Sequence, residues 1–398
     1  MLFRIAEGLM EVHEAICGAI DSFRETAVSV SRSIHDRPEL KFQEHFAAEQ
    51  LSKAAAGVGL KVEMGIAGLK TAFRAEFGRA DGPTVAIFAE YDALPNGHSC
   101  GHNLIAGAAL SAVAGLSSIA DQLPGRIVFM GTPAEEGGGG KILLLERGAL
   151  KGVDAAMMAH PMDMEWSTMP ALATKHMRIT FAGRASHAAL APWEGSSALA
   201  AVLQTFHAVD MARLHFRDGS RIHGIITDGG QAVNIIPERA QCEFLARGKT
   251  SKYVTEMADR VTRCAEAAAL ATGTRVEVKV EGGYQNMINN LSIAGRYSTH
   301  TETLGARSPQ APPDLPTGST DMGDISHAMP AIHPIFAIAR HGEGSCHEDR
   351  FVAHADSSRG YDAMIRVAKA LALTAYDLLA DKELMAAAKA EFAERRES

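Results

Sequence analysis

The chain reads as an α/β protein: a main domain with a mixed, largely parallel sheet flanked by helices, plus a smaller inserted α+β domain. Three observations carry this reading. Short apolar runs at residues 84–89, 126–130 and 155–159 have the length and turn-bounded setting of strands. Helical stretches alternate with them, the order that builds an α/β sheet. From about residue 172 the texture changes to half-exposed, alternating strands separated by two amphipathic stretches.

Taken in order, residues 11–35 carry apolar side chains at helical spacing, and Pro38 marks a break. A second helix is expected over 47–58, strand-like alternation over 61–77, and a turn at Asp81-Gly82-Pro83 before the run 84–89. Residues 104–120, rich in Ala and Leu, read as a buried helix. The run 126–130 leads into Glu135-Glu136 and four glycines, and the run 155–159 ends in His160-Pro161.

Strands are then expected at 176–181, 222–227, 232–236, 241–246 and 275–281, helices at 196–214 and 252–271, and a loop at 183–192 holding His187. That order is close to a β-α-β-β-α-β, ferredoxin-like unit with two helices on one face. Residues 172–283 are therefore expected to form the inserted domain, and 1–171 with 284–398 the main one. Beyond it come a helix over 292–303, a Pro-rich connection at 310–316 and a polar loop at 318–324. A strand-like run follows at 331–339, then a loop over 341–350, a terminal helix over 362–379 and a charged, Ala-rich end.

With 398 residues, 46% of them hydrophobic, there is material for two or three domains with substantial cores. A net charge of −8 leaves no basic footprint, which argues against nucleic acid and anionic membrane surfaces as partners. Arg4, Glu7, Glu11 and Glu14 interrupt the apolar residues of 1–18, so no signal-peptide core is expected there. No apolar run reaches the roughly 18 residues of a membrane span. Five scattered cysteines make a poor disulfide framework and fit a reducing compartment, so a cytoplasmic location is expected.

The chemistry concentrates at strand ends. His98, Cys100 and His102 follow the run 84–89, and thiolate with imidazole suits zinc and similar ions better than calcium or magnesium. A buried thiol beside a hydrogen-bonded histidine is the bland alternative. Glu135 and Glu136 repel one another unless a cation lies beside them; otherwise they form a solvated acidic turn. The glycines after them do not read as a phosphate loop, because no Gly-Lys-Ser/Thr follows and the carboxylates would repel phosphate. Three successive strands thus each end in a potential ligand, where open α/β sheets place their sites.

The set Tyr91-Asp92-Ala93-Leu94-Pro95, His98-Ser99-Cys100-Gly101-His102, Glu135-Glu136, His160-Pro161, Gly183 with His187, Val233-Asn234-Ile235-Ile236-Pro237 and Cys346-His347 resembles the zinc aminoacylase/carboxypeptidase metallopeptidase family. More narrowly it is similar to the amidohydrolase branch, which includes aminobenzoyl-glutamate, hippurate and indole-acetyl-amino-acid hydrolases and β-alanyl-lysine dipeptidase. The resemblance implies that Cys100, His102, Glu136, His160 and His347 hold two divalent ions in each protomer, bridged by the Cys100 sulfur. Zinc stands first, with manganese, cobalt or nickel as alternatives. Glu90 occupies a position that is a ligand histidine in other branches.

Glu135 is then the natural general base for amide hydrolysis, and Asp92 the group that orients His102, against the plainer role of a turn cap. The resemblance makes His187 an oxyanion donor reaching the site from a partner protomer; a lone loop histidine is otherwise a surface residue. Asn234 and Arg247 match positions gripping the substrate carboxylate, with local backbone and surface pairing as the plainer roles, and Gly318 and Ser319 offer backbone groups. Cys346, next to His347, is a competing candidate ligand, with a buried bystander thiol as the preferred reading.

The expected activity is hydrolysis of an N-acyl amino acid or dipeptide with a free carboxylate, by a homodimer formed through the inserted domain. The rival is a non-hydrolytic metal-binding protein retaining the fold. A cysteine hydrolase using Cys100 with His102 is weaker, because neighbours on a tight turn rarely attain nucleophile-to-base geometry.

Overall fold

Every position of the strand Thr84–Ala89 is buried, which its unbroken apolar sequence permits and a half-exposed setting would waste. A computed structural model describes residues 2–312, 315 and 317–397 of the chain. In chain order the strands are β1 (Val62–Met64), β2 (Phe73–Gly78), β3 (Thr84–Ala89), β4 (Arg126–Gly131), β5 (Ala155–Met157), β6 (His160–Met162), β7 (Ala173–Ala182), β8 (Arg221–Asp228), β9 (Arg239–Gly248), β10 (Arg275–Glu281), β11 (Ala331–Ile332) and β12 (Ile335–Ala337).

The chain divides into two compact units. The first, Met1–Pro170, Met287–Pro316 and Asp324–Ser398, holds a six-stranded sheet in the order β1-β2-β4-β3-β5-β11. β3 runs parallel to β4 and β5, and β11 parallel to β5, while β1 and β2 make the antiparallel edge. Ala89 pairs with Gly131 and Ile87 with Met157, so the carboxyl ends of the three central strands open on one side of the sheet. A separate parallel pair, β6 with β12, sets His160 opposite Ile335.

The helix His102–Ser117 is buried at every residue through Leu116 and packs against the helices Leu2–Asp36 and Ser358–Ala380. Its many Ala and Gly residues let the helix backbones approach closely. The expected strand over 61–77 is instead two short strands, β1 and β2, split by a 3-10 turn at Ile66–Gly68, where Gly65 and Ala67 take left-handed backbone. The charged end beyond 382 is helical, Lys382–Glu397. Of the expected connection at 310–316, Pro313, Asp314 and Pro316 lie outside the described residues.

Three helices of this unit meet on one buried carboxylate. Asp377 pairs with His13 Nε2 at 3.0 Å, Arg296 Nη1 at 2.7 Å and His300 Nε2 at 2.8 Å. Burial alone would push its pKa up, but hydrogen bonds from His13, His300 and Arg296 outweigh it and hold the carboxyl well below the ordinary range. A depressed folded-state pKa contributes stability that is present above the unfolded value, about 4, and is lost as pH falls through the folded value. Asp377→Asn should lower the unfolding free energy at pH 7 by about 1–3 kcal/mol in urea titrations, because it removes the charged acceptor shared by His13, His300 and Arg296, while Arg296 keeps Asp381 at 3.0 Å. The gap between variant and parent should narrow below about pH 4.

The second unit comprises Ala171–Asn286 with Thr317–Gly323. Its four strands form an antiparallel sheet in the order β10-β7-β9-β8. Met177, Ile179 and Phe181 of β7 and Cys242, Phe244 and Ala246 of β9 share a core with residues of two helices, Ala198–Ala212 and Ser251–Thr272. Ser197 and Thr250 cap these helices by accepting the N–H groups of Ala200 and Tyr253, and Gly273 ends the second in left-handed conformation.

The strand expected over 232–236 is absent: residues 232–235 are exposed and Ile236 half-buried, and the segment forms a turn with one isolated bridge, Ile235 to His187. Their alternating apolar side chains have no second layer to pack on, and Val233 is fully exposed. Thr317–Gly323, which includes Gly318 and Ser319, groups with this unit, whereas the sequence boundary placed it with the other. The end of the expected polar loop at 318–324 opens a helix, Met322–Ala328. Among the described residues, no helix is long and apolar enough to cross a membrane.

Candidate active site

The loop after β3 delivers Cys100 and His102. Gly101 takes left-handed backbone, φ 71°, and a Cβ there would lie 2.6 Å from Pro161 Cγ, so only glycine lets the chain turn beside β6 into the helix His102–Ser117. His102 Nδ1 bonds Asp92 Oδ1 at 3.1 Å. Its Nε2 makes no hydrogen bond among the described residues and faces Glu90 Oε2 at 3.7 Å. Burial pulls the His102 pKa down, but the Asp92 and Glu90 carboxylates outweigh it and raise it well above the usual value.

Cys100 Sγ lies 3.4 Å from His160 Nε2. The other ring nitrogen of His160 contacts the Pro161 carbonyl at 2.8 Å, which places its proton on Nδ1 and leaves Nε2 a lone-pair donor. Burial pushes the His160 pKa down to about 3, so the ring is neutral. The Cys100 thiol is pushed up, first by a hydrogen bond with Cys346 and then by burial.

The segment after β4 is held from both sides by carboxylates. Ala134, in left-handed conformation at φ 61°, donates its N–H to Glu44 Oε1 at 2.9 Å, and Glu136 donates its N–H to Asp92 Oδ2 at 2.9 Å. Glu44 also accepts from Phe42 N–H and the Thr71 hydroxyl, and burial pushes its carboxyl up to about 7. Glu135, between these anchors, is buried, with a carboxylate oxygen within 4.8 Å of one of Glu90. Gly140 is required locally: a Cβ would sit 1.8 Å from the Pro133 carbonyl oxygen. The next residue, Lys141, is buried and places its ammonium on Glu90 Oε1.

His347 donates its N–H to Ser99 O at 2.8 Å and meets Glu136 Oε1 through Nε2 at 3.1 Å. It does so in left-handed backbone, φ 74°, a conformation that costs a non-glycine residue about 1–3 kcal/mol and is retained where surroundings enforce it. Burial would raise the Glu136 pKa, but the bond with His347 and the nearby His102 charge hold it low.

All five residues expected as ligands therefore gather in the first unit. Donor atoms of Cys100, His102 and Glu136 lie within 4.8 Å of one another, and so do those of Cys100, His160 and Cys346. Sulfur, imidazole and carboxylate donors, with one ring already fixed by a carboxylate and another by a carbonyl, fit divalent transition ions. Asp92 touches both a ring nitrogen and the Glu136 backbone. Asp92→Asn should make the protein lose metal to a competing chelator at roughly 10- to 100-fold lower chelator concentration.

The remaining candidates lie in the second unit. His187 Nδ1 accepts the N–H groups of Ala189 at 3.2 Å and Leu190 at 3.3 Å, which puts its ring proton on the exposed Nε2. Ala188 N–H bonds Asn234 O, tying the His187 loop to the 232–236 turn. Arg247 Nη1 donates to Ser319 Oγ at 3.0 Å, and Gly318 O accepts Leu172 N–H.

Sequence reasoning missed Glu44, Lys141 and His333. His333 is buried, held neutral by burial, and packs edge-on to His160 at 5.7 Å between ring centroids. Of the three, only Lys141 left a trace, as the residue closing the glycine run.

Residues 86–370 match Peptidase family M20/M25/M40. The chain is 38% identical over 393 residues to Xaa-Arg dipeptidase of Mus musculus, covering 94% of this chain and 90% of that protein. It is 28% identical over 456 residues to one of the subunits of p-aminobenzoyl-glutamate hydrolase of Escherichia coli strain K12, covering 95% and 94%. A crystal structure of a dinuclear metal binding peptidase of the M20 family from Bacillus subtilis superposes with a TM-score of 0.70 at 21% identity, over 90% of this chain and 99% of that one.

Fold and relatives together define a metal-dependent hydrolase of peptide or amide bonds. The chain belongs to peptidase family M20/M25/M40 and, as its motifs indicate, to the amidohydrolase branch.

Proposed function

We propose that the protein hydrolyses the amide bond of an N-acyl amino acid or dipeptide with a free carboxylate, using two divalent ions held by Cys100, His102, Glu136, His160 and His347. The observation that carries this reading is that one sulfur, Cys100 Sγ, belongs to two separate groups of donors. Ions bound there supply Lewis acidity that lowers the pKa of water toward about 7. Glu135 takes the proton from the attacking water and returns it to the nitrogen of the departing amine. Asp92 keeps the His102 proton on Nδ1 and, through the Glu136 N–H, fixes the backbone beside the base.

His187, with its proton on Nε2, has the tautomer needed to donate to a developing oxyanion, and we assign it that role. Its replacement by Ala should lower turnover on the order of 100-fold, read as kcat in steady-state assays. Arg247, with Asn234 and the Gly318-Ser319 backbone, is assigned to the substrate carboxylate, which a planar guanidinium binds through two parallel hydrogen bonds.

A homodimer through the second unit is part of this reading. The edge strand β8 leaves Ile225 and Ile226 exposed, and the adjoining helical segments leave Leu203, Met211 and Leu214 exposed. A fully active monomer in light-scattering measurements would remove the dimer from the proposal. All five cysteines are unpaired, in keeping with a cytoplasmic location.

The test is a substrate screen on metal-analysed protein: aminobenzoyl-glutamate, hippurate, β-alanyl-lysine, N-acetyl amino acids and dipeptides ending in arginine. Metal-loaded protein that cleaves none of them would favour the non-hydrolytic alternative.

A further inference from the structure

The geometry points to Cys346 as a second thiolate donor on the His160 side of the site, which makes that side select zinc over manganese. The inference rests on the proposed metal centre and deepens it.

The sequence alone prefers a bystander role for Cys346 over a competing ligand; the structure places its sulfur within 4.8 Å of both Cys100 Sγ and a ring nitrogen of His160. Donors sharing one tetrahedral ion at 2.0–2.3 Å lie roughly 3.3–3.8 Å apart. Cys100 and His160, at 3.4 Å, already stand at that spacing. Cys346, hydrogen-bonded to Cys100, reaches that spacing by a small rotation about its Cα–Cβ bond.

Its backbone is fixed nearby. His347 N–H bonds Ser99 O, so the segments 346–347 and 99–100 run side by side. The other contacts of the thiol are weak hydrogen bonds. It approaches Pro161 O only at 3.7 Å, and that oxygen already accepts from His160 Nδ1 at 2.8 Å. The Met162 thioether, at 3.3 Å, is a weak acceptor.

The consequence follows from donor softness. Cys100, Cys346 and His160 form a set of two sulfurs and one imidazole nitrogen, suited to zinc or cobalt, whereas manganese prefers oxygen donors.

The experiment compares the reduced full-length protein with Cys346→Ser and Cys346→Asp in zinc-against-manganese competition read by elemental analysis. The Ser variant should lose at least about tenfold of the zinc preference, and the Asp variant should shift further toward manganese. Independently of any variant, X-ray absorption on the zinc-loaded parent protein should count more sulfur per zinc than one bridging thiolate supplies. Unchanged competition in both variants, or a sulfur count explained by Cys100 alone, would overturn the role of Cys346. Failure of the parent protein to bind metal at all would instead defeat the proposed centre.

Discussion

Glu135→Gln is expected to cut hydrolysis by about 10²- to 10⁴-fold while leaving metal content and folding unchanged. The amide keeps the size of the carboxylate but cannot take a proton. The backbone around it has anchors that do not involve its side chain, Ala134 N–H on Glu44 and Glu136 N–H on Asp92, so the geometry of the ligand next door survives the change. The loss should fall on kcat, and the acidic limb of the pH–rate profile, which reports the base, should disappear. A variant that loses metal in proportion to activity would make Glu135 a ligand instead of a base. Retained turnover would remove it from the chemistry altogether.

Residues whose chemistry is explicit in their side chains and whose strands are apolar were legible. Runs such as 84–89 and 126–130 can be buried only as central strands, and a sheet with parallel β3, β4 and β5 must bring their carboxyl ends together. Cys100, His102, the Glu135-Glu136 pair and His160 follow from that as candidates, while the choice of Glu136 as the ligand, and His347, 247 positions after Cys100, needed the family motif. Glu44 was illegible because two of its three partners are backbone N–H groups of left-handed residues, Phe42 and Ala134, and backbone conformation leaves no mark on an ordinary Phe or Ala. The turn at 232–236 was misread for a related reason. Alternation reports a strand only when a second layer covers one face, and Val233 and Ile235 have none. Lys141 shows the limit of reading charge locally, since its partner Glu90 lies 51 positions away across the sheet.

The second large effect is expected from Cys100→Ala, which should deplete both ions together instead of one. Among the described residues, Cys100 Sγ is the donor common to the group with His102 and Glu136 and the group with His160 and Cys346. Removing it takes one ligand from each, and a zinc site held by protein alone needs three or four. His160→Ala takes a donor from one group only, so elemental analysis after gel filtration should find that variant retaining more metal than Cys100→Ala. Activity of Cys100→Ala should fall to that of chelator-treated parent protein. Because the thiol is buried and small, the cavity left behind is modest, and thermal unfolding of the metal-free proteins should be nearly the same for variant and parent. If Cys100→Ala keeps one tightly held ion, the sulfur serves a single ion, and the shared-sulfur arrangement of the two donor groups is wrong.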